Sequence, residues 1–384
     1  MSLSKQVILP GQTIGIIGGG QLGRMMALSA KSMGYRIAVL DPVNDSPCGQ
    51  VADVKIIGAY DDFEAISKLA EISDCITYEF ENIDASSLEW LCSHANVPQG
   101  RELLEITQNR IKEKIAIEVA GGQVAPYAVI HSLKDIKEAI QQLGVPAVLK
   151  TARGGYDGKG QAVIHSENEI ENALNLLEHG ECIMEKWIPF KKEISVIITR
   201  SSDGQTAVFP VAENIHHDNI LHQTIVPARI SKKAEDLAIQ SAAMLANAFG
   251  LVGTLAVEMF LTEEDTIYIN ELAPRPHNSG HYSIEACETS QFEQHIRAVC
   301  HLPLGSTRLL KPAVMVNILG EHQSAVLERM SEFTDWKIHF YGKNDPKRKR
   351  KMGHITILFD SVETAIEEVK NSCIWEEKSL EAKG

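Results

Sequence analysis

The sequence predicts a mixed α/β and α+β protein of 384 residues in three parts: a doubly wound opening domain over 1–105, a small lid over 106–190, and an α+β part over 191–384. Three features carry that division. A βαβ pattern with a glycine-rich turn opens the chain, a second glycine loop stands between two β-branched strands, and a later hairpin bears one carboxylate on each strand. One core does not ordinarily serve a chain this long, so several domains are expected.

The elements follow in order. Residues 13–18 read as a short apolar strand running into Gly18-Gly19-Gly20-Gln21-Leu22-Gly23. A helical pattern continues through Met33 and stops at Gly34; a second strand over 35–40 ends on Asp41-Pro42. Further strands are expected at 54–57 and 74–79, with a helix near 62–72 between them. A charged helix over 107–120 leads into the lid, where strands 147–150, 161–164 and 182–188 surround a helix over 167–178. A strand over 193–198 follows. The hairpin pairs 253–261 with 266–272 through a four-residue turn, Thr262-Glu263-Glu264-Asp265, and a C-terminal part begins near 312.

Bulk properties narrow the functional classes. With 44% hydrophobic and 23% charged residues the chain reads as soluble and globular. A formal charge of −14 argues against broad nucleic-acid binding or adhesion to anionic membranes, so a site for an anion must gather its positive charge locally. No apolar run reaches membrane-spanning length, and the first residues lack a signal-peptide core. The seven cysteines are scattered without a CxxC pair, as expected of reduced, mostly buried thiols in a cytoplasmic protein.

Four motifs carry chemistry. Gly18 to Gly23 fits the dinucleotide fingerprint, with Asp41 at the spacing of a ribose-binding acid; equally it fits a turn whose free amides accept another anion, such as a sugar phosphate. The loop Arg153-Gly154-Gly155-Tyr156-Asp157-Gly158-Lys159-Gly160-Gln161 is too glycine-rich for a plain hairpin. It is also no Walker A loop, since Gly160 stands where Ser or Thr is needed; its amides and Lys159 suit a phosphate, and Lys150 just before it points the same way. Glu258 and Glu271 are expected on one face of the hairpin in near-opposed positions. There they repel unless a proton or a cation lies between them, and such hard oxygens suit Mg²⁺ held against phosphates. A turn one residue shorter or longer would carry Glu271 to the other face. Finally, Lys347 to Lys351 is a basic run that fits a nuclear localisation signal, a nucleic-acid patch or a solvated loop; in so acidic a chain the preferred reading is a local cationic wall for a phosphorylated substrate.

Taken together, Gly-Gly-Gly-Gln-Leu-Gly-Arg-Met, Gly-Gly-Tyr-Asp-Gly-Lys-Gly-Gln, Glu-Lys-Trp-Ile and Asn-Glu-Leu-Ala-Pro-Arg-Pro-His-Asn-Ser-Gly-His resemble the ATP-grasp superfamily. Within it the chain resembles the N5-carboxyaminoimidazole ribonucleotide synthetase family over nearly its whole length, including the late Lys-Met-Gly-His-Ile-Thr. That resemblance implies a Rossmann-like opening domain, an ATP-grasp lid and a C-terminal α+β part closing the nucleotide cleft. It implies that ATP phosphorylates bicarbonate to carboxyphosphate, which carboxylates aminoimidazole ribonucleotide in purine biosynthesis, and that the first glycine turn serves the ribonucleotide rather than NAD.

Residue by residue, it assigns Arg110 and Lys150 to ATP phosphates, with Gly155, Tyr156, Asp157, Gly158, Lys159, Gly160 and Gln161 folding over them. The backbone of Glu185, Lys186, Trp187 and Ile188 would meet adenine, Glu193 the ribose, and His216 would lie near the nucleotide. Glu258 and Glu271 would hold Mg²⁺ with Asn270 beside them. Gln21, Glu79, Lys343 and Arg350 would form the ribonucleotide site, the spacing from Lys343 to Arg350 being one residue longer than the family pattern. Tyr156, Lys159, Arg275, His277 and Asn278 would contact bicarbonate and carboxyphosphate. A homodimer and a hand-off of the unstable carbamate to a downstream mutase complete the expectation. Three other readings stand beside it: a formate-dependent glycinamide ribonucleotide transformylase, an NAD-dependent dehydrogenase, and a non-catalytic nucleotide-binding regulator.

Overall fold

The computed structural model describes residues 6–155 and 159–375. The opening domain comprises β1 (Thr13–Ile17), α1 (Gln21–Ser32), β2 (Arg36–Asp41), β3 (Val54–Ile57), α2 (Phe63–Ile72), β4 (Cys75–Tyr78) and α3 (Ala85–His94). Its four strands are parallel in the order β3-β2-β1-β4. Helices cover both faces, which is why β1 and β2 read as unbroken apolar runs. The strand order reverses between β1 and β4, so the glycine turn after β1 and Glu79 after β4 share one crevice.

The helix predicted over 107–120 is two helices, α4 (Glu102–Thr107) and α5 (Arg110–Val119). Asn109 breaks it: its extended backbone and its side chain, which accepts from the N–H groups of Ile111 and Lys112, make it an N-cap. Arg110 thereby becomes the first residue of α5.

The next sheet has β5 (Tyr127–Ile130), β6 (Ala147–Thr151), β7 (Gln161–Ile164) and β8 (Cys182–Lys186), antiparallel in the order β5-β8-β6-β7, with α6 (Leu133–Leu143) on one face. Ser132 caps α6, and Ile136, Ala139, Ile140 and Leu143 form its buried stripe. The helix predicted over 167–178 is a 3₁₀ helix, Glu167–His179. Its buried residues Ile170, Ala173 and Leu176 recur every third position, the repeat that aligns them on a three-residue turn.

The remaining elements are β9 (Phe190–Arg200), β10 (Thr206–Val208), β11 (Ala212–His217), β12 (Ile220–Val226), α7 (Lys232–Ala248), β13 (Gly253–Thr262), β14 (Ile267–Ala273), α8 (Ser283–Ala286), α9 (Gln291–Val299), β15 (Ala313–Leu319), α10 (Gln323–Glu328), β16 (Lys337–Phe340), β17 (Lys351–Leu358) and α11 (Val362–Asn371). One sheet runs β14-β13-β9-β11-β12-β15-β17-β16, with β10 attached to β9. Small residues of α7, among them Ala234, Ala238 and Ala242, pack closely over β9 and β13. Phe292, Ile296 and Val299 of α9 join Met25, Met26 and Ile14 in a single cluster, tying the opening domain to the large sheet. All seven cysteines are free, Cys92 and Cys373 exposed and the others buried. No helix among the described residues is long and apolar enough to cross a membrane.

Candidate active site

Where the three sheets converge lies a cleft of about 640 Å³. Its floor is the β13–β14 hairpin, where Glu258 and Glu271 are direct cross-strand partners. They reach that pairing by a different route from the one the spacing suggests. Thr262 and Thr266 close the hairpin, so the turn holds three residues, with Asp265 at φ 60°. That shorter turn alone would set Asn270 opposite Glu258 and send Glu271 to the other face. A β-bulge between Glu258 and Met259 adds one residue to β14 and brings Glu271 back opposite Glu258. Asn270, Glu271 and Glu258 all line the cleft.

The two acids are not alike. Burial and the neighbouring Glu271 push Glu258 up to about 7, while its Oε1 lies 3.2 Å from Nε2 of His277. Burial also opposes ionisation of Glu271, yet the Arg110 guanidinium, donating from Nη1 to Glu271 Oε2 at 3.1 Å, outweighs it and holds that carboxyl below the usual range. At neutral pH one acid is therefore charged and the other is poised to lose its proton.

Cations fill the opposite wall. Arg110 also donates from Nη2 to Gly155 O at 3.1 Å, so the stem of the glycine loop is tied to the hairpin acid through one guanidinium. Glu185 lies within 3.3 Å of Lys114 Nζ and 3.2 Å of Lys150 Nζ. Burial disfavours its charge, but the two ammonium groups overcome that and bring it down to about 2. Lys114, only 1% exposed, donates as well to Asn270 O at 2.9 Å, which holds the bulge in place. Beside it, burial and Glu271 raise Glu113 to about 8, and its Oε1 accepts from Leu272 N at 2.7 Å.

The acids and their strand neighbour Asn270 offer oxygen donors. Asn270 Oδ1 is buried with no hydrogen-bond partner among the described residues. Two carboxylates and an idle amide oxygen fit Mg²⁺, which takes one or two protein carboxylates and completes its shell with water and substrate phosphate. Among the described residues no group of three or more His, Cys, Asp or Glu side chains could hold a metal without such help.

Of the residues singled out in the sequence, Gln21, Arg110, Lys150, Gly155, Lys159, Gln161, Glu185, Lys186, Trp187, Ile188, Glu193, His216, Glu258, Asn270, Glu271, Arg275, His277 and Asn278 line this one cleft. Tyr156, Asp157 and Gly158 lie outside the described residues. Gly160, at φ +70°, sits against Thr151 at the loop's base. His216 Nδ1 is 2.6 Å from Glu193 Oε2; burial works against the imidazolium, and the Glu193 carboxylate reverses that and raises it. Arg275 pairs with Glu81 at 2.9 Å, and Asn278 exchanges amide hydrogen bonds with Asn317. The N–H groups of Lys186 and Trp187 already donate to Pro126 O and Pro146 O, so that stretch has fewer free donors for a base edge than expected.

Glu79, Lys343 and Arg350 do not line the cleft. Glu79 Oε1 accepts from Gly20 N at 2.5 Å, Lys343 Nζ donates to Lys351 O at 2.9 Å, and Arg350 donates to Asn344 O and Asp345 O. The basic run splits: Lys347 and Lys349 pair with Asp345 and Asp218, and only Lys351 reaches the cleft. The dinucleotide reading of the first glycine turn also fails on geometry. Asp41 is buried, its Oδ2 accepting from Gly19 N at 2.6 Å and from Tyr60 OH at 2.7 Å, so it holds the turn itself and no ribose. Lys114, Glu113 and Glu81 were passed over in the sequence; the i, i+4 spacing of Arg110 and Lys114 was the available signal that both face one way.

Comparison with known proteins agrees along the whole chain. Residues 11–108 match the ribonucleotide synthetase preATP-grasp domain, 115–292 the ATP-grasp domain, and 313–368 the phosphoribosylaminoimidazole carboxylase C-terminal domain. An N5-carboxyaminoimidazole ribonucleotide synthase of Bacillus subtilis is 60% identical over 96% of this chain and 97% of its own. A crystal structure of an ADP complex of such a synthetase superposes with a TM-score of 0.95 at 60% identity, covering 98% of this chain and 99% of that one. The Aspergillus clavatus enzyme, in complex with ADP and 5-aminoimidazole ribonucleotide, superposes at 0.88 with 32% identity, covering 94% and 98%.

Proposed function

The chain belongs to the N5-carboxyaminoimidazole ribonucleotide synthase family, and from that premise we infer that it is an ATP-grasp ligase carboxylating aminoimidazole ribonucleotide with bicarbonate and ATP, in purine biosynthesis. The observation that carries the reading is the opposition of Glu258 and Glu271 beneath a wall of Arg110 and Lys150, with Lys114 buried behind it. Phosphoryl transfer asks mainly for positioning and charge neutralisation, and this cleft offers both. Lys150 and Arg110 face the triphosphate, Glu193 the ribose, and Ile188, Val148, Val163 and Leu272 form apolar walls for a flat base. Bound at the acid pair, Mg²⁺ would neutralise charge on the phosphoryl group in transit. Arg275, His277 and Asn278 crowd the far side of the acids, where bicarbonate and the labile carboxyphosphate belong, and Lys351 stands with them. Gln21, in the first turn of α1, meets the ribonucleotide.

The family membership removes the transformylase alternative, and the buried Asp41 removes the dehydrogenase. The complete set of acids and cations weighs against a non-catalytic regulator. A cytoplasmic homodimer that passes its carbamate to a mutase is part of the same reading, on the family resemblance alone. Phosphate release tests the reaction: bicarbonate with aminoimidazole ribonucleotide should drive it, and formate with glycinamide ribonucleotide should not. Release that ignores the aminoimidazole nucleotide would sink the reading.

Glu258 supplies a pH test. Its raised pKa means the proton stays on below about 7 and must leave before a cation binds. Mg²⁺ affinity measured with a non-hydrolysable ATP analogue should rise about tenfold per pH unit up to that value, then level off, once the nucleotide's own protonation is subtracted. Equal affinity at pH 6 and pH 8 would remove Glu258 from the metal site.

A further inference from the structure

His277 stands between Glu258 and a buried file of hydroxyl groups. Its backbone is gripped at both ends by one side chain: Gln291, fully buried, accepts from His277 N at 2.9 Å through Oε1 and donates from Nε2 to His277 O at 2.7 Å. What remains open is which ring nitrogen carries the proton. Nδ1 accepts from the peptide N–H of Ser279 at 3.3 Å and lies 2.9 Å from Ser279 Oγ. A peptide N–H only donates, so a neutral ring has its lone pair on Nδ1 and its proton on Nε2.

The hydroxyl file agrees with that assignment. Thr224 Oγ1 donates to Asn214 Oδ1 at 3.0 Å, Asn214 Nδ2 donates to Ser195 Oγ at 2.9 Å, and Ser195 Oγ donates to Ser279 Oγ at 2.8 Å. Each step runs toward the imidazole and leaves the Ser279 hydroxyl proton for Nδ1. All four side chains are buried, so solvent offers them no competing partner. The lone pair a base would need faces the protein interior, already claimed by two donors, while Nε2 faces the cleft and Glu258.

We propose that His277 serves the reaction as a hydrogen-bond donor through Nε2–H and not as a general base, with Ser279 as the positioning residue that sets its tautomer. The proposal rests on the carboxylation reading above. A fixed N–H aimed at an anionic oxygen, of bicarbonate, carboxyphosphate or the Glu258 carboxylate, needs no rearrangement when charge develops.

Two measurements test it. In the ¹⁵N-labelled full chain, with the ring signals assigned by their loss in His277→Gln, Nδ1 should show the shift of a bare nitrogen and Nε2 that of a protonated one. The reverse pattern overturns the proposal, and this readout needs no turnover, so it is separable from a failure of the wild type to release phosphate. In kinetics, His277→Gln keeps an amide N–H near Nε2 but offers no basic lone pair. It should retain kcat within about tenfold of the wild type, whereas His277→Ala loses about 10²–10³-fold. A Gln variant as inactive as the Ala variant, with both still binding ADP, overturns donation. Ser279→Ala should lower kcat about tenfold at unchanged KM for ATP; no change in kcat or in the Nδ1 signal removes Ser279 from the role.

Discussion

Glu271→Gln is expected to abolish ATP turnover, by about 10³-fold or more in kcat, while the protein stays folded and still binds nucleotide. The substitution keeps the shape of the side chain and removes its charge, and that charge has two dependants. It is the ionised member of the acid pair, and it is the carboxylate that Arg110 holds at 3.1 Å while also holding Gly155. Without it the cation site keeps one carboxylate, Glu258, and the amide oxygen of Asn270. Arg110 keeps the carbonyl of Gly155 and loses its hydrogen-bonded carboxylate. Phosphate release in the presence of both substrates, with circular dichroism and ADP binding as controls, checks this. Turnover within tenfold of the wild type would mean that the acid pair is not the metal site.

Lys114→Met carries the largest expected effect on stability, a loss of up to about 3–5 kcal/mol, because it takes one of the two cations on which a buried carboxylate depends. Glu185 is 3% exposed and keeps its charge through Lys114 and Lys150 together. Methionine fills the space but returns neither the charge nor the hydrogen bond to Asn270 O. The residue sits behind the cleft wall, so the loss should appear in the denaturant midpoint of the unliganded protein. A midpoint equal to the wild type's would show that Lys150 alone suffices for Glu185. Activity should fall as well, since Asn270 is the extra residue of the bulge that aims Glu271.

The glycine motifs, the acid pair and the proline-rich run after β14 were legible because each is a local pattern with a chemical reason. Glu258 and Glu271 were expected to face one another and do, yet simple alternation is not why. A turn one residue shorter is compensated by a bulge at Asn270, and bulges leave no periodic trace in a strand. Asn109 could have been read as a cap, but the charged residues around it made one continuous helix the simpler pattern. Glu113 and Lys114, members of that charged helix, drew no role of their own, because burial decides their behaviour and burial belongs to the tertiary structure. Asp41 matched a ribose-binding spacing and turned out to cap its own glycine turn, because a short acid beside free amides satisfies them directly. Ser195, Ser279 and Gln291, scattered over 97 positions, acquire meaning only where β9, the loop after β14 and α9 converge.

The large sheet does not stop where the C-terminal domain match begins. β15 is wedged between β12 and β17, with every one of its seven residues buried. A chain ended ahead of Ala313 would thus strip β12 of its neighbour along Gln223–Val226, leaving Ile225 and Val226 on a raw margin that invites pairing with other chains. The segment from Ala313 onward is stitched into the same fabric as the acid hairpin, so the enzyme cannot be trimmed to a minimal nucleotide-binding fragment.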